Sequence, residues 1–241
     1  MSAPLLSLKD VTIAYDSVVA VEDVSFNVEK GDFFCVVGAN GSGKSTLIRG
    51  ILGLEPLLRG TVSFGVDRDR VSWVPQVEAA DRDFPATVRE IVLTGTQKRG
   101  GLVFFYTAAD RRNADAAMEF FEIEDLAGRR IGELSGGQHR RMMLARAMCR
   151  DPDLLLLDEP CSGLDADAKR AFYDWLNRLH DERGATIVMV SHDLDEVELR
   201  ATRIAVLDRR LVFLGDAGEW TRGKNGKNAR GSLEFSGGPA S

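Results

Sequence analysis

Large apolar residues alternate with smaller or polar ones in three segments of the first third of the chain, at 11–15, 24–28 and 62–66. Because successive side chains of a strand point to opposite faces, this period of two is typical of strands with one buried face. Sheets of this kind are usually antiparallel. The pattern therefore predicts an antiparallel β-sheet in the N-terminal part of the chain.

Three other segments are almost continuously apolar: "FFCVV" at 33–37, "LLLL" at 154–157 and "TIVMV" at 186–190. Short runs without alternation are typical of parallel strands that are covered on both faces. Helical patterning lies next to each run, which favours crossover units and an α/β core.

Between Gln76 and Cys149 the chain instead carries helix formers and charged residues, which predicts a helical insertion in the core. Thr107 is a candidate N-cap with Asp110 three residues later, the arrangement of a capping box. Two short apolar runs around a turn follow at "RIAVLDRRLVFLG". Beyond them, a composition rich in Gly, Lys, Asn and Ser predicts a flexible tail over 218–241.

Composition and charge exclude several classes of protein. The 241 residues carry a formal net charge of −6, which argues against a general nucleic-acid-binding protein. No apolar run approaches the ~18 residues of a membrane-spanning helix, and the N-terminus lacks the pattern of a signal peptide. We therefore expect a cytoplasmic chain that reaches a membrane only through another protein.

The cysteines and histidines show no metal-binding spacing, so no transition-metal site is expected. Cys35, Cys149 and Cys161 are expected to be reduced thiols used as small apolar side chains. His139 and His180 are expected to be solvated surface groups.

The segment "GANGSGKS" fits the spacing of a phosphate-binding loop and directly follows the apolar run at 33–37. Glycines let backbone N–H groups turn inward around a phosphate, and the helix that follows directs its positive end there. Lys44 would reach the terminal phosphates and Ser45 would bind Mg²⁺. The residues expected to contact a nucleoside triphosphate are Gly38, Ala39, Asn40, Gly41, Ser42, Gly43, Lys44, Ser45 and Thr46.

Two acidic residues follow the run at 154–157, in "LLLLDEP". Because ligands of open α/β sheets lie at the carboxyl ends of the strands, Asp158 and Glu159 should face the same crevice as the phosphate loop. Asp158 suits Mg²⁺, and Glu159 is then free to act as the base for an attacking water. The same geometry brings Ser191 and His192, after the run at 186–190, to this crevice.

A second glycine turn occurs in "ELSGGQHRR", where Ser135 is a good N-cap for a helix. Backbone N–H groups at a helix start form an anion site, but this one lacks the lysine and the Mg²⁺ ligand of the first. It could therefore close over a phosphate that is held elsewhere. The residues of this signature turn are Ser135, Gly136, Gly137 and Gln138.

In the order "GANGSGKST", "LSGGQ", "LLLLDEP" and "SH", these motifs resemble the ATP-binding subunit of an ABC transporter over Leu6–Gly215. The resemblance implies a P-loop NTPase (RecA-like) core with an N-terminal antiparallel β-subdomain and an inserted α-helical subdomain. The ATP-binding domain would span 6–217, with the core and β-subdomain at 6–76 and 151–217 and the helical subdomain at about 77–150.

The family resemblance also implies ATP and Mg²⁺ as cofactors and a homodimer of two ATPase subunits packed head to tail. The signature turn of one subunit would close on the ATP bound to the phosphate loop of the other. Tyr15 would stack on adenine, Glu159 would be the catalytic base and His192 would hold the γ-phosphate. Ser45, Gln76 and Asp158 would bind Mg²⁺, with Gln76 also contacting the attacking water. An interface loop would cross between the subunits, formed by Ser162, Gly163, Leu164 and Asp165.

The window "DFPATVREIVLTGT", Asp83–Thr96, resembles ATPases of the importer group for zinc, manganese, iron and metal chelates. It implies a separate polytopic membrane permease, docked in a groove beside Gln76 and the insertion, and indirectly an extracytoplasmic substrate-binding protein. The chain would then lie on the inner face of the cell membrane. Phe84 and Val88 are equally compatible with an ordinary core of the insertion.

Three alternatives remain in view. A soluble ABC ATPase of DNA repair or translation is disfavoured by the single compact copy without coiled-coil heptads, whereas one of cluster assembly stays open. An efflux subunit is opposed only by the window Phe84–Gly95. A GTPase is disfavoured because the sequence has no Asn-Lys-x-Asp run for recognising guanine.

Overall fold

A computed structural model describes residues 3–16, 18–76, 84–97 and 105–222, without the side chains of Asp195 and Glu196. The chain forms two compact units. The first unit combines the residues up to Val66 with those from Thr186 onwards, and the second is Asp67–Ala185. The predicted subdomain boundaries at 76/77 and 150/151 stay a prediction.

The strands and helices follow one another along the chain in mixed order. The strands are β1 (Leu6–Tyr15), β2 (Val18–Val28), β3 (Phe33–Val37), β4 (Arg59–Phe64), β5 (Val71–Val74), β6 (Leu154–Asp158), β7 (Thr186–Ser191), β8 (Arg203–Asp208) and β9 (Arg210–Asp216). The helices are α1 (Lys44–Leu52), α2 (Val88–Thr94), α3 (Ala108–Phe120), α4 (Gly136–Met148), α5 (Ala166–Arg183), α6 (Leu194–Arg200) and α7 (Ala217–Arg222).

In the first unit, β1 pairs antiparallel with β2 on one side and with β4 on the other, which confirms the predicted antiparallel sheet. The alternation of buried residues shifts at Asp10, whose φ of 51° marks an irregularity in the strand. Gly60 lies close by, and a Cβ there would come within 2.3 Å of the carbonyl oxygen of Asp10. Close backbone approach therefore requires glycine at this point of the sheet.

The same unit also contains three parallel strands, β3, β7 and β8. β3 pairs parallel with β7 and with β8, and all five residues of β3 are buried. β9 returns antiparallel to β8 through Arg209, whose φ is 57°. The runs at 33–37 and 186–190 are therefore buried parallel strands, as expected.

In the second unit, β5 and β6 pair in parallel, and every residue of β6 is buried. Helices α2, α3 and α4 occupy the described residues of the predicted insertion, where the only strand-like pairing among those residues is a bridge between Thr87 and Arg130. Gly95, directly after α2, packs closely against α4. A Cβ at this position would lie 1.9 Å from the carbonyl oxygen of Arg146, so only glycine fits.

The end of the described chain differs from the expectation of a tail from residue 218. Residues 217–222 form α7, in which Trp220 is fully buried and donates from Nε1 to Oε1 of Glu198 at 3.0 Å. The rest of the predicted tail, 223–241, lies outside the described residues. Across the described ranges, no helix is both long enough and apolar enough to span a bilayer.

Candidate functional site

The phosphate loop connects β3 to α1 within the first unit. Gly41 and Gly43 have φ values of 81° and 97°, in the left-handed region that glycine enters without cost. A Cβ at Gly38 would meet the carbonyl oxygen of Leu207 at 2.2 Å, and one at Gly43 would meet that of Ala20 at 2.4 Å. The glycines are thus required both by the turn and by close backbone approach. Gly43, the N-cap of α1, has no side chain that could cap the first-turn N–H groups of the helix.

Lys44, the first residue of α1, is folded back into the loop. Its side chain is 4% exposed, and Nζ donates to the carbonyl oxygens of Gly38 at 2.9 Å and Ala39 at 2.8 Å. A buried ammonium group among glycine amides is a good binding partner for phosphate oxygens. The hydroxyl of Ser42 is also buried, and Oγ has no hydrogen-bond partner within the described part of the chain.

Two other predicted residues lie near this loop. The hydroxyl of Tyr15 is 3.5 Å from Oγ1 of Thr46 in α1, while the ring is 39% exposed. Val37 and Ser191 are paired in the parallel strands β3 and β7, so His192 begins its segment at the same sheet edge as the phosphate loop. His192 therefore lies at the sheet edge where the sequence placed it and Tyr15 lies beside α1, and the roles of both remain predictions.

The second unit gathers a different set of predicted residues. Val74 of β5 pairs with Leu157 of β6, and these strands lead directly into Gln76 and into Asp158. Asp158 is 3% exposed at the end of β6, whereas Gln76 is exposed. The amide and the carboxylate thus lie at the same edge of a parallel pair, and their roles at Mg²⁺ remain predictions.

Glu159, the predicted base, has a φ of 42°. For a residue with a side chain, the left-handed region costs roughly 1–2 kcal/mol, and such strain concentrates at functional positions. The amide of Ser162 donates to the carbonyl of Glu159 at 3.1 Å, closing a turn. Gly163 has a φ of 74°, and Asp165 accepts from the amide of Ala168 at 2.8 Å to cap α5. Sequence reasoning did not anticipate the strain at Glu159.

The signature turn forms the N-terminus of α4, and the prediction of Ser135 as its N-cap is confirmed. Oγ of Ser135 accepts from the amide of Gln138 at 3.2 Å, and Oε1 of Gln138 accepts from the amide of Ser135 at 3.0 Å. Among the described residues outside the backbone of its own helix, a Cβ on Gly137 would meet only Cβ of Ala168, at 3.8 Å, an ordinary contact. Packing within the described part of the chain therefore does not explain the glycine. The turn opens onto a cavity of about 430 Å³ beside α5.

The expectation for His139, next to the signature turn, is wrong. This histidine is 2% exposed, because it falls on the face of α4 that also buries Met142. Arg140 is buried as well, at 4% exposure, and contacts the loop after Glu159. The sequence did carry a signal for both residues: His139 lies three residues before Met142, and Arg140 lies three and four residues after the two glycines of the signature turn. The basic run "QHRR" obscured this helical spacing.

Two further expectations can be checked. Phe84 is 62% exposed and is not part of the core, whereas Val88 is fully buried. Cys35 and Cys149 are buried and Cys161 is partly exposed, and none of the three forms a disulfide within the described residues. Burial raises the pKa of Cys149 to about 12.

A cavity of about 810 Å³ on the antiparallel sheet is larger than the one beside the signature turn, yet no predicted site residue lines it.

Known proteins share these features. Residues 21–162 match the model of a family described as ABC transporter. The chain is 37% identical over 224 residues to the zinc uptake system ATP-binding protein ZurA of Listeria innocua, covering 90% of this chain and 87% of that protein. It is 40% identical over 215 residues to the manganese transport system ATP-binding protein MntB of Bacillus subtilis, covering 87% and 86%. In structure it is similar to a metal-chelate type ABC transporter in an inward-facing conformation, with a TM-score of 0.85 and 26% identity over 95% of this chain and 90% of that one.

Proposed function

The chain belongs to the ABC transporter family, and on that basis we propose that it is the ATP-hydrolysing subunit of an importer for a divalent metal ion, zinc or manganese, or for a metal chelate. The observation that carries the choice of substrate is the naming of its relatives for zinc and manganese transport. The fold and motifs alone support ATP hydrolysis and do not distinguish one cargo from another.

The phosphate loop fits ATP by its own chemistry. The buried ammonium group of Lys44 supplies positive charge, and the unpartnered hydroxyl of Ser42 offers a further polar contact inside the loop. The bare glycines leave room that any side chain would fill. Tyr15, exposed beside Thr46, would present its ring to the adenine.

The donor set proposed for Mg²⁺ also fits that ion. Ser45, Gln76 and Asp158 supply hydroxyl, amide and carboxylate oxygens, and Mg²⁺ is usually held by one or two carboxylates together with waters and phosphate oxygens. When bound, the ion would neutralise charge on the phosphate oxygens during transfer to water. Within the described residues no group of three or more His, Cys, Asp or Glu could hold a metal.

Glu159 and His192 would divide the remaining work. The carboxylate of Glu159 would accept the proton of the attacking water, and its strained backbone is consistent with a preorganised base. His192, exposed after β7, would hold the γ-phosphate. The signature turn would complete the ATP site of the partner subunit, because its helix start offers backbone amides but no lysine like Lys44 of the phosphate loop. The working form would therefore be a head-to-tail dimer.

The dimer would act on a polytopic permease and so lie on the cytoplasmic face of the membrane. Phe84, 62% exposed and four residues before the start of α2, would supply an apolar contact for such a partner. Binding of ATP would close the dimer and hydrolysis would reopen it, and this motion would drive the permease. A substrate-binding protein outside the cell would deliver the cargo.

A first experiment tests the ATPase assignment with Glu159→Gln. The variant should bind ATP and accumulate as a dimer, and its hydrolysis rate should fall by a factor of roughly 100 to 10,000 because the base is lost. Light scattering and phosphate release measure the two effects, and Glu124→Gln, an exposed acid in the same unit, is the matched control. A dimer that never forms with ATP and Mg²⁺ would contradict the composite site.

A second experiment tests the cargo. Deleting the gene from its host should lower the uptake of radioactive zinc or manganese at limiting metal, and the wild-type gene should restore it while Lys44→Ala does not. An efflux subunit would instead raise the metal content of the cell, and a soluble ATPase would leave it unchanged. Either of these results would reject the importer assignment.

A further inference from the structure

The inference concerns Arg140, a buried arginine in the first half of α4. It lies four residues after Gly136 and three after Gly137, so its side chain leaves the helix on the same side as these glycines. Only 4% of the residue is exposed. Its position therefore ties it to the signature turn.

The guanidinium group of Arg140 binds the loop that follows Glu159. Nε donates to the carbonyl oxygen of Pro160, and Nη2 donates to that of Ser162 at 2.7 Å. The planar fork of arginine matches two acceptors with fixed spacing, which the single ammonium group of lysine cannot do. Two carbonyls of one short loop are thus fixed to α4.

This loop determines the orientation of Glu159. The left-handed φ of Glu159, 42°, persists only if the following residues hold the backbone in place. One support is the turn in which Ser162 donates to Glu159, and the far end is anchored where Asp165 caps α5. Arg140 supports the loop between these points, directly after Glu159.

The neighbouring Arg141 makes bonds of the same kind to a different part of the unit. Its Nη1 donates to the carbonyl oxygens of Glu122 at 3.0 Å and Phe121 at 3.4 Å, just after α3. The two arginines therefore share one helix and one chemistry, and differ in whether they hold the loop that carries Glu159.

We propose that Arg140 is a positioning residue that couples the signature turn to the catalytic base of the same chain. Resting on the proposed function, this links the two composite sites of the dimer: the signature turn serves the partner's ATP, while Glu159 serves the chain's own. When α4 is fixed by ATP in one site, Arg140 carries the loop of Glu159 into place in the other. The two sites then act cooperatively.

The test compares Arg140→Met and Arg140→Lys with the control Arg141→Lys, using the full chain with Mg²⁺ and ATP. Arg140→Met should lower kcat about tenfold, since misplacing a catalytic group by a fraction of an ångström has effects of this order or larger. KM for ATP should change less than about twofold, because Lys44 and the phosphate loop are untouched, and the Hill coefficient should fall towards 1. Arg140→Lys should recover part of kcat, and Arg141→Lys should match the wild type.

A dimerisation readout separates positioning from damage to the signature turn. In the Glu159→Gln background, Arg140→Met should still form the ATP-dependent dimer at the same ATP concentration. Loss of that dimer, or a wild-type kcat in folded Arg140→Met, would overturn the inference. If Arg140→Met does not fold, Arg140→Lys decides in the same way: a lowered kcat with an intact dimer supports the inference, and an unchanged kcat overturns it.

The failure of the proposed function is distinguishable from these results. A wild-type chain without ATP turnover would remove the ATPase assignment and the inference together. Turnover by the wild type with no effect of either Arg140 variant would overturn the inference alone.

Discussion

At the scale of single residues, the phosphate loop and the turn after β6 both contain positive φ angles, but at different types of residue. Gly41 and Gly43 adopt positive φ angles that glycine tolerates, so the loop is unstrained. Glu159 adopts a φ of 42° with a side chain, and neighbouring hydrogen bonds must maintain it. Asp10 and Arg209 also have positive φ angles, but at Glu159 the strained backbone carries a carboxylate whose direction would matter for proton transfer.

Lys44→Ala should abolish ATP binding, raising the Kd of a fluorescent ATP analogue by at least about 100-fold, because charge-assisted contacts to two phosphates are lost. Lys30→Ala, an exposed lysine in the same unit, should bind normally. Fluorescence titration measures both, with thermal unfolding as the check on folding. Tight binding by Lys44→Ala would mean that ATP lies elsewhere.

Single-residue environments were the least predictable feature. The burial of His139 depends on which face of α4 meets the rest of the unit, and its basic neighbours in sequence pointed the other way. The exposure of Phe84 could not be read from an apolar side chain that equally suits a core or a binding surface. Lys44 and the glycines were predictable because a phosphate-binding loop needs these residue types at this spacing.

At the scale of elements, three helices of the second unit begin with the same device. Thr87 with Glu90 caps α2, Thr107 with Asp110 caps α3, and the pair at the signature turn caps α4. Each capping box is complete within four residues, so the starts of α3 and α4 could be predicted without any tertiary information. Strand irregularities such as the one at Asp10 depend on distant partners and could not.

The capping box of α2 makes a pH-dependent contribution to stability. The amide of Thr87, and then its hydroxyl, donate to the carboxylate of Glu90 and lower its pKa below the ordinary 4.5. Since the folded pKa is the lower one, the contribution is complete above the unfolded pKa and is lost as the pH falls through the folded pKa.

Glu90→Gln should therefore lower Tm by roughly 2 °C at neutral pH, an effect typical of one weakened helix cap. The difference from the wild type should shrink at an acid pH below the folded pKa of Glu90, where Glu90 itself is protonated. Calorimetry at both pH values measures this, and Glu119→Gln, an exposed acid of α3, should show no such pattern. An equal gap at both pH values would mean that charge is not involved.

At the scale of the whole chain, the order of buried strands and glycine turns predicted the α/β class and the family. The runs at 33–37, 154–157 and 186–190 form strands, as short apolar runs typically do in a parallel sheet that is covered on both faces. The division at Val66 and Thr186 follows from which segments pack together, a long-range property that no local pattern encodes. The helix at Ala217–Arg222 was missed for the same reason, since only burial of Trp220 distinguishes it from the polar segment beyond.

The purified chain should contain no stoichiometric zinc or manganese. No group of three or more His, Cys, Asp or Glu among the described residues could hold either ion, and the proposed cargo would pass through the permease instead. Inductively coupled plasma mass spectrometry after dialysis against metal-free buffer measures the content. Finding one metal per chain, retained through dialysis, would show that the chain itself holds the ion.

The open space around Gly137 has a genetic consequence. In the described part of the chain, outside the backbone of this helix, alanine at this position would meet no atom closer than 3.8 Å, and in a helix alanine is favoured over glycine by up to about 1 kcal/mol. Selection for folding alone would therefore replace this glycine. In the proposed dimer, a Gly137→Ala allele would yield an abundant, well-folded subunit that still pairs with normal subunits. Its signature turn would then impair the ATP site of the normal partner. It should behave as a dominant-negative allele when it is expressed beside the normal gene.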